Sequence, residues 1–321
     1  MRALWSHPRF WLFAPFIGLA LMAVLGFALW QMTASRLVDT MGKTGLTWQH
    51  IERHGFPARI SLNVTAARFA RGDLMWQNPE FSVTMMPFQA GHAIVDFKQA
   101  HILATKKARL TIAHKGNLAS LIGDGDGLAR ASVELNQARL ALTQNGPKHI
   151  YTADKIGLHA RRHTKPAHYE TALTVKQLIL PPQLGQAAAA PIARFDVAGI
   201  VPEALLENSP AAGQIVQLDR LTMQRGALTL IARGKVKLAP TGDVQGRLDL
   251  EAIRLDALMD MLEEFAIISP RERQKWLFLS GLGAALAGQT QDRISVPLIF
   301  KGGRTSIGPL DVGPAPRWQD N

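Results

Sequence analysis

The sequence predicts a mainly β protein, in which an N-terminal transmembrane helix is followed by antiparallel β-meander sheets with two late helices packed on the sheet. Three observations predict this fold class. An uncharged apolar stretch lies near the N-terminus, apolar and polar residues alternate in many later segments, and helical spacing of apolar residues occurs clearly only after residue 254. A composition of 47% hydrophobic and 19% charged residues over 321 positions is typical of a folded protein.

The first element is the stretch Phe10–Met32, which has 23 residues and no charge. A helix of about 20 residues crosses a bilayer core. Trp5, Trp11 and Trp30 lie near the two expected interfaces, where aromatic residues concentrate. We therefore predict a transmembrane anchor over residues 10–32.

A cleaved signal peptide is the alternative, because Gly26-Phe27-Ala28 resembles a small-x-small cleavage site. The apolar stretch is longer than the usual signal-peptide core of about 7–15 residues, which favours a retained anchor. Arg2 and Arg9 precede the span, so residues 1–9 are predicted to be cytoplasmic. The bulk of the chain is then expected in the periplasm, anchored once in the bacterial inner membrane.

The second class of element is the β-strand, predicted wherever every second residue is apolar. The segments between these sets are rich in Gly, Asp, Asn and Pro, which favour turns. The predicted strands contain Ile60, Leu62 and Val64; Phe81, Val83 and Met85; Leu110 and Ile112; Val133 and Leu135; Leu140 and Leu142; and Leu173 and Val175.

Residues 181–191 are rich in Pro and Ala and are predicted to be a linker or a long loop. They would separate a basic β-rich domain over residues 33–180 from a second β-rich part over residues 192–321. In the second part, the segment Leu228–Ala252 has apolar residues at nearly all its even positions on both sides of a turn, which predicts a hairpin with one apolar face.

Two helices are predicted after this hairpin, near residues 255–266 and 270–287. The first has apolar residues at helical spacing. The second begins with Ser269-Pro270-Arg271-Glu272, which places a capping Ser, a Pro at the first helical position and a Glu three residues after the Ser. Two further strands are predicted around Ile294–Phe300 and Ser306–Val312.

The net charge of +11 is concentrated before the linker. Residues 33–181 contain 19 basic and 10 acidic residues, whereas residues 182–321 contain 15 of each. Such a surface favours anionic partners. The basic segment Lys148–His168 is interpreted as a contact for anionic headgroups or as an ordinary solvated strand face. The candidate headgroup contacts are Lys148, Lys155, Arg161, Arg162 and Lys165.

No catalytic, cofactor-binding or metal-binding residues are predicted. The chain has no cysteine, and no Gly-x-Ser-x-Gly nucleophile motif occurs. His50, Glu52 and His54 have the spacing of metal ligands but lack an evident further ligand. Asp124 and Asp126 resemble the start of a calcium loop without the remaining oxygen ligands.

The order of the motifs resembles a known family. His54-Gly55-Phe56-Pro57-Ala58-Arg59-Ile60 follows the anchor, and Ile307-Gly308-Pro309-Leu310 and Gly313-Pro314-Ala315-Pro316 lie near the end. With them, nearly the whole chain resembles the bacterial family called domain of unknown function 2125, which implies a single-pass envelope protein. The stretch Leu218–Leu262 is also similar to AsmA-like envelope proteins, a resemblance that implies β-sheets serving as grooves for acyl chains and no catalytic residues.

These observations predict a membrane-anchored periplasmic protein that binds or transfers phospholipid or glycolipid, or assists envelope assembly, through an apolar sheet face. The alternative is a non-catalytic structural or protein-interaction module of the envelope, and an envelope hydrolase is the third hypothesis. Other envelope proteins are expected partners, and nucleic acid is not. The predicted groove lining is Leu62, Val64, Val83, Leu110, Ile112, Leu140 and Leu173.

Overall fold

The structure is a computed structural model of the chain. It describes residues 8–86, 89, 91–144, 146–188, 190–206, 213–240, 242–265, 267–274, 277, 293–307 and 310–317, with the side chains of residues 8–15, 186, 187, 310 and 312 left out. The predicted second helix at 270–287 therefore lies largely outside the described residues.

Helices occupy the N-terminus and a few short segments. Helix α1 spans Pro8–Lys43, α2 spans Glu203–Leu206 and α3 spans Leu255–Glu264. A 3-10 helix covers Pro182–Ala188, and residues 270–274 are helical. Within the described residues, α1 alone is long and apolar enough to cross a membrane, with a mean hydropathy of 1.8 in its most apolar window.

Eighteen strands form the rest of the described secondary structure, as the alternating pattern predicts. They are β1 (Leu46–Thr47), β2 (His50–His54), β3 (Ile60–Arg71), β4 (Leu74–Met85), β5 (His92–Phe97), β6 (His101–Ala104), β7 (Ala108–Ala113), β8 (Gly116–Asp124), β9 (Gly127–Gln144), β10 (Lys148–Arg162), β11 (His168–Leu178), β12 (Ile192–Pro202), β13 (Ile215–Arg225), β14 (Leu228–Leu238), β15 (Val244–Ile253), β16 (Arg293–Lys301), β17 (Arg304–Ile307) and β18 (Leu310–Pro314).

All the strands pair antiparallel in one continuous meander, so the predicted fold class is confirmed. Strands β1 and β2 both pair with β3, the broken strand β5–β6 pairs with β4, and the broken strand β7–β8 pairs with β9. From β9 to β18 each strand pairs with the next in sequence. The segment 181–191 connects β11 to β12, which pair directly, with Leu178 opposite Ile192.

The main hydrophobic core lies between α1 and the first strands. Trp30 and Ala34 of α1 are buried against Ile60, Leu62 and Val64 of β3. Leu37, Val38 and Met41 continue the same stripe of the helix at i, i+3 and i+4 spacing. The helix therefore continues past the predicted span and covers the start of the sheet with its C-terminal half.

The late hairpin has the predicted single apolar face. Its even positions pair with even positions across β14 and β15, including Leu230 with Ala252 and Ala232 with Leu250. Helix α3 contacts both strands and buries Met259. The chain itself therefore covers part of this hairpin.

Two details of the sequence pattern become clear only in the structure. The alternation in β9 changes phase between Leu135 and Leu140 because Gln137 between them has a left-handed φ of 48°. The prediction of one strand at Ser306–Val312 was wrong, because this segment belongs to two strands that pair with each other, Ile307 opposite Leu310. Gly308-Pro309 separates them in the sequence, and such a dipeptide favours a turn.

Candidate functional site on the apolar face of the sheet

The pairing register aligns apolar side chains into rows that cross the sheet. Directly paired residues point to the same face of a sheet, and successive residues point to opposite faces. One row, here called the central row, contains Leu62, Val83, Val95, Ala119, Val133, Leu158, Leu173, Val197, Leu221, Ala232, Leu250 and Val296. Every member is apolar, so this face is apolar across twelve strands, roughly 50 Å at about 4.8 Å per strand.

A second row beside it, the flanking row, has almost the same character. It contains Asn117, Leu135, Ile156, Val175, Phe195, Met223, Leu230, Ala252 and Ile294. Only Asn117 is polar. The two rows together define the apolar face of the sheet.

The opposite face is mainly polar. The row of residues next to the central row on that face contains Asn63, Ser82, Asp96, Leu118, Glu134, Gly157, Thr174, Asp196, Thr222, Ile231, Glu251 and Ser295. The sheet thus has one polar and one apolar face from β3 to β16. An antiparallel sheet with such alternation normally buries its apolar face.

Coverage of the apolar face is uneven. Helix α1 covers its first strands, and α3 contacts β14 and β15. Between them, the central row on β9–β13 is partly exposed, and its Leu158 is 51% exposed, whereas Leu135 and Val175 of the flanking row are buried. This open stretch consists of Val133, Ile156, Leu158, Leu173, Phe195, Val197, Leu221 and Met223.

The exposed area of the whole chain agrees with an open sheet. It is 20353 Å², whereas a compact monomer of 35.1 kDa exposes about 13,000 Å². The exposed side chains in the first half of α1 contribute to this excess.

The predicted groove residues fall into three places. Leu62, Val64 and Val83 lie in the core beneath α1 and face no open space. Leu173 lies in the open stretch. The remaining three are half-buried beyond the irregularity at Gln137, with Ile112 opposite Leu140 and Leu110 opposite Leu142. Sequence reasoning missed Leu158, Val197, Phe195 and Met223, although the apolar alternation at these positions could have identified them.

Most of the predicted headgroup contacts already have anionic partners. Lys155 Nζ lies 2.8 Å from Glu134 Oε2, and Arg161 pairs with Glu170. Arg162 donates to both oxygens of Asp124 at 2.9 and 2.8 Å, which holds the pKa of that carboxyl below its usual range. None of the ion pairs among the described residues involves Lys148 or Lys165.

A pocket of about 360 Å³ lies on the polar face, over β9–β13. Its charged lining includes Arg130, Arg161, Glu170 and Asp219, so cations and anions are balanced there. His159 at its wall contacts Ser132 at 2.5 Å. This pocket lies on the opposite face from the apolar rows. The open stretch, and not the pocket, is therefore the candidate site.

A buried polar cluster interrupts the apolar packing near β6. Trp76 Nε1 donates to His101 Nδ1 at 3.3 Å, and His101 Nε2 lies 2.9 Å from the side-chain amide of Asn117. The centroid of the His114 ring lies 5.4 Å from that of the His101 ring, with the two rings tilted by 40°. Burial, with a smaller effect of His114, lowers the pKa of His101 to about 4, so this imidazole is neutral at neutral pH.

The other chemical motifs form solvated ion pairs. Glu52 lies between His50 and His54 on β2 at 3.4 and 3.2 Å, and the hydrogen bonds from His54 and then His50 lower its pKa. Asp124, the first acid of the calcium-like loop, is bound to Arg162. Among the described residues, no group of three or more His, Asp or Glu side chains could hold a metal ion.

Comparison with known protein families matches residues 31–316 to a family described as "Uncharacterized protein conserved in bacteria (DUF2125)". The match covers most of the chain and includes α1 from Gln31 together with the whole sheet. It confirms the resemblance inferred from the motifs. No curated protein matches the chain.

Proposed function

Because the chain belongs to the bacterial DUF2125 family, whose description states no activity, we propose its function from the apolar face: it is a membrane-anchored protein that holds lipid acyl chains on the open stretch of β9–β13. The observation that carries this proposal is the unbroken apolar central row, which is partly exposed where neither α1 nor α3 covers it and is most exposed at Leu158. The function is binding or transfer of phospholipid or glycolipid within the cell envelope.

Physical chemistry favours an occupant for this surface. Contiguous apolar patches larger than a few hundred Å² are rare on soluble monomers and mark interaction sites. One leaflet of a bilayer core is about 15 Å thick, which gives the approximate length of an acyl chain. A chain of this length that lies across the strands covers about three of them at about 4.8 Å each. Each buried methylene contributes roughly 0.8 kcal/mol. The five strands of the open stretch therefore have room for one extended chain.

The anchor and its orientation belong to the same proposal. The uncharged part of α1 is the single span in the bacterial inner membrane, and Arg2 and Arg9 favour a cytoplasmic N-terminus. The sheet then lies in the periplasm. Its first strands pack directly on α1, so lipid taken from the membrane has a short path to the apolar face.

Headgroup contacts are proposed at the candidate cations for which the described residues provide no anionic partner. Lys148 and Lys165 meet this condition among the five candidates, whereas Lys155, Arg161 and Arg162 already stabilise the sheet through ion pairs. Binding to vesicles that contain phosphatidylglycerol should then weaken in Lys148→Gln/Lys165→Gln and at high salt. Equal binding by both forms would contradict this part of the proposal.

The central test compares two leucines on opposite faces of the sheet. Leu158 is 51% exposed on the apolar face, and Leu118 is 59% exposed on the polar face. We expect the full chain, purified in mild detergent, to retain phospholipid detectable by mass spectrometry. Leu158→Gln should lower the retained lipid several-fold, because it places an amide in the open stretch, whereas Leu118→Gln should retain as much as the wild type.

Folding is checked by the urea midpoint of each variant, which should change little because both side chains are already exposed to solvent. Equal lipid content in the two variants would contradict the proposal. A wild-type protein that is free of lipid, and that takes up no fluorescent phosphatidylethanolamine, would favour the structural or interaction module instead.

A further inference from the structure

The exposure of α1 changes abruptly at Trp30. The large apolar side chains from Phe16 to Leu29 are exposed on all sides of the helix, whereas Trp30 and Ala34 are buried against the sheet. The twenty residues that end at Leu29 carry no charge and span about 30 Å, the thickness of a bilayer core. Trp30 therefore marks the level at which the membrane ends and the sheet begins.

The turn between β2 and β3 reaches this level. The Phe56 ring lies 5.3 Å from the Phe27 ring and 6.0 Å from the Trp30 ring, edge to face in both cases. Trp30 Nε1 donates to the Arg59 carbonyl at 2.7 Å. Phe27 precedes Trp30 by about 4.5 Å along the helix axis, so Phe56 contacts a residue within the span.

The segment that follows β4 presents a second apolar residue at the same end of the strands. Ile60 at the start of β3 pairs with Met85 at the end of β4, and Met86 follows as an exposed side chain. Arg59, beside Phe56, is exposed, and none of the ion pairs among the described residues includes it. Exposed apolar residues next to a cation are typical of segments that bind at the headgroup boundary.

We propose that the β2–β3 turn, residues 55–59, is a membrane-interface contact, in which Phe56 enters the boundary between headgroups and acyl chains and Arg59 faces the lipid phosphates. Met86 enters the same layer beside it. This contact holds one end of strands β2–β4 against the bilayer from which lipid would be taken. It rests on the proposed function, because it requires α1 to span the membrane.

The absence of cysteine from the chain allows a direct measurement of depth. Single-cysteine variants are labelled with an environment-sensitive fluorophore, and the full chain is reconstituted in vesicles of phosphatidylethanolamine and phosphatidylglycerol. Phe56→Cys is compared with Leu74→Cys, which begins β4 at the opposite end of these strands and is equally exposed, 42% against 41%. Leu21→Cys reports on the span itself, and Met86→Cys carries the test if the Phe56 variant does not fold.

We expect labels at positions 56 and 86 to have blue-shifted emission, to be several-fold less quenched by aqueous iodide than the label at 74, and to be quenched by headgroup nitroxide lipids. If the label at 21 is in the bilayer while those at 56 and 86 behave like the label at 74, the interface contact is wrong and the anchor stands. If the label at 21 also behaves like the label at 74, both the contact and the membrane anchor are wrong.

Discussion

At the residue scale, His101 links folding stability to pH. Its Nδ1 accepts from Trp76, so protonation would place two N–H donors against each other in a buried site. The folded-state pKa of about 4 is below the ordinary 6.5, so the unfolded chain binds the proton more readily. The contribution of neutral His101 to the free energy of unfolding is complete above pH 6.5. It decreases as pH falls from 6.5 to about 4, by up to ~3 kcal/mol.

This prediction is measured by urea unfolding of the full chain in detergent between pH 7.5 and 4. His101→Gln keeps an acceptor for Trp76 and removes the titration, so its free energy of unfolding should depend less on pH in this range. His149→Gln, on β10, should keep the wild-type dependence. An unchanged pH dependence in the His101 variant would show that this imidazole is not the group responsible.

At the scale of the elements, the docking of α1 on the sheet depends on close packing at one small residue. Ala34 of α1 is fully buried in the core that this helix forms with β3. Ala34→Leu should lower the free energy of unfolding by about 1–3 kcal/mol because it overpacks this contact. Thr40→Leu, at an exposed position of the same helix, should change it far less.

Chemical unfolding followed by tryptophan fluorescence suits this comparison, since Trp30 itself lies at the contact. Equal stability of the two variants would mean that the C-terminal half of α1 is not packed on the sheet in the native protein. The result also bears on the proposed function, because α1 covers the first strands of the apolar face and leaves the open stretch uncovered.

At the scale of the whole molecule, the apolar helix α1 and the continuous sheet of the described residues lead to a topology prediction. An uncleaved α1 should keep the protein in the membrane after alkaline carbonate washing. Its C-terminus should be accessible to protease only from the periplasmic side. Recovery of a soluble chain that begins near Leu29 would contradict the prediction and would favour a cleaved signal peptide.

Local pattern by itself determined the classes of element and which side of many strands is apolar. The alternation from Leu228 to Ala252 predicted the apolar face of β14 and β15, and the uncharged stretch near the N-terminus predicted an apolar helix. The capping Ser269 with Glu272 three residues later predicted a helix start. The Glu272 side chain accepts a hydrogen bond from the Ser269 backbone N–H as expected. Such features follow from side-chain period and short-range hydrogen bonds, which a sequence displays directly.

Tertiary structure alone decided which part of the apolar face is open. Leu62 and Leu173 lie in the same central row and look alike in sequence, yet α1 covers Leu62 and leaves Leu173 partly exposed. Likewise, charge counting did not show that Arg162 is bound to Asp124, 38 positions away. Coverage and pairing depend on contacts between residues far apart in the chain, and the period of a single strand contains no information about what packs on it.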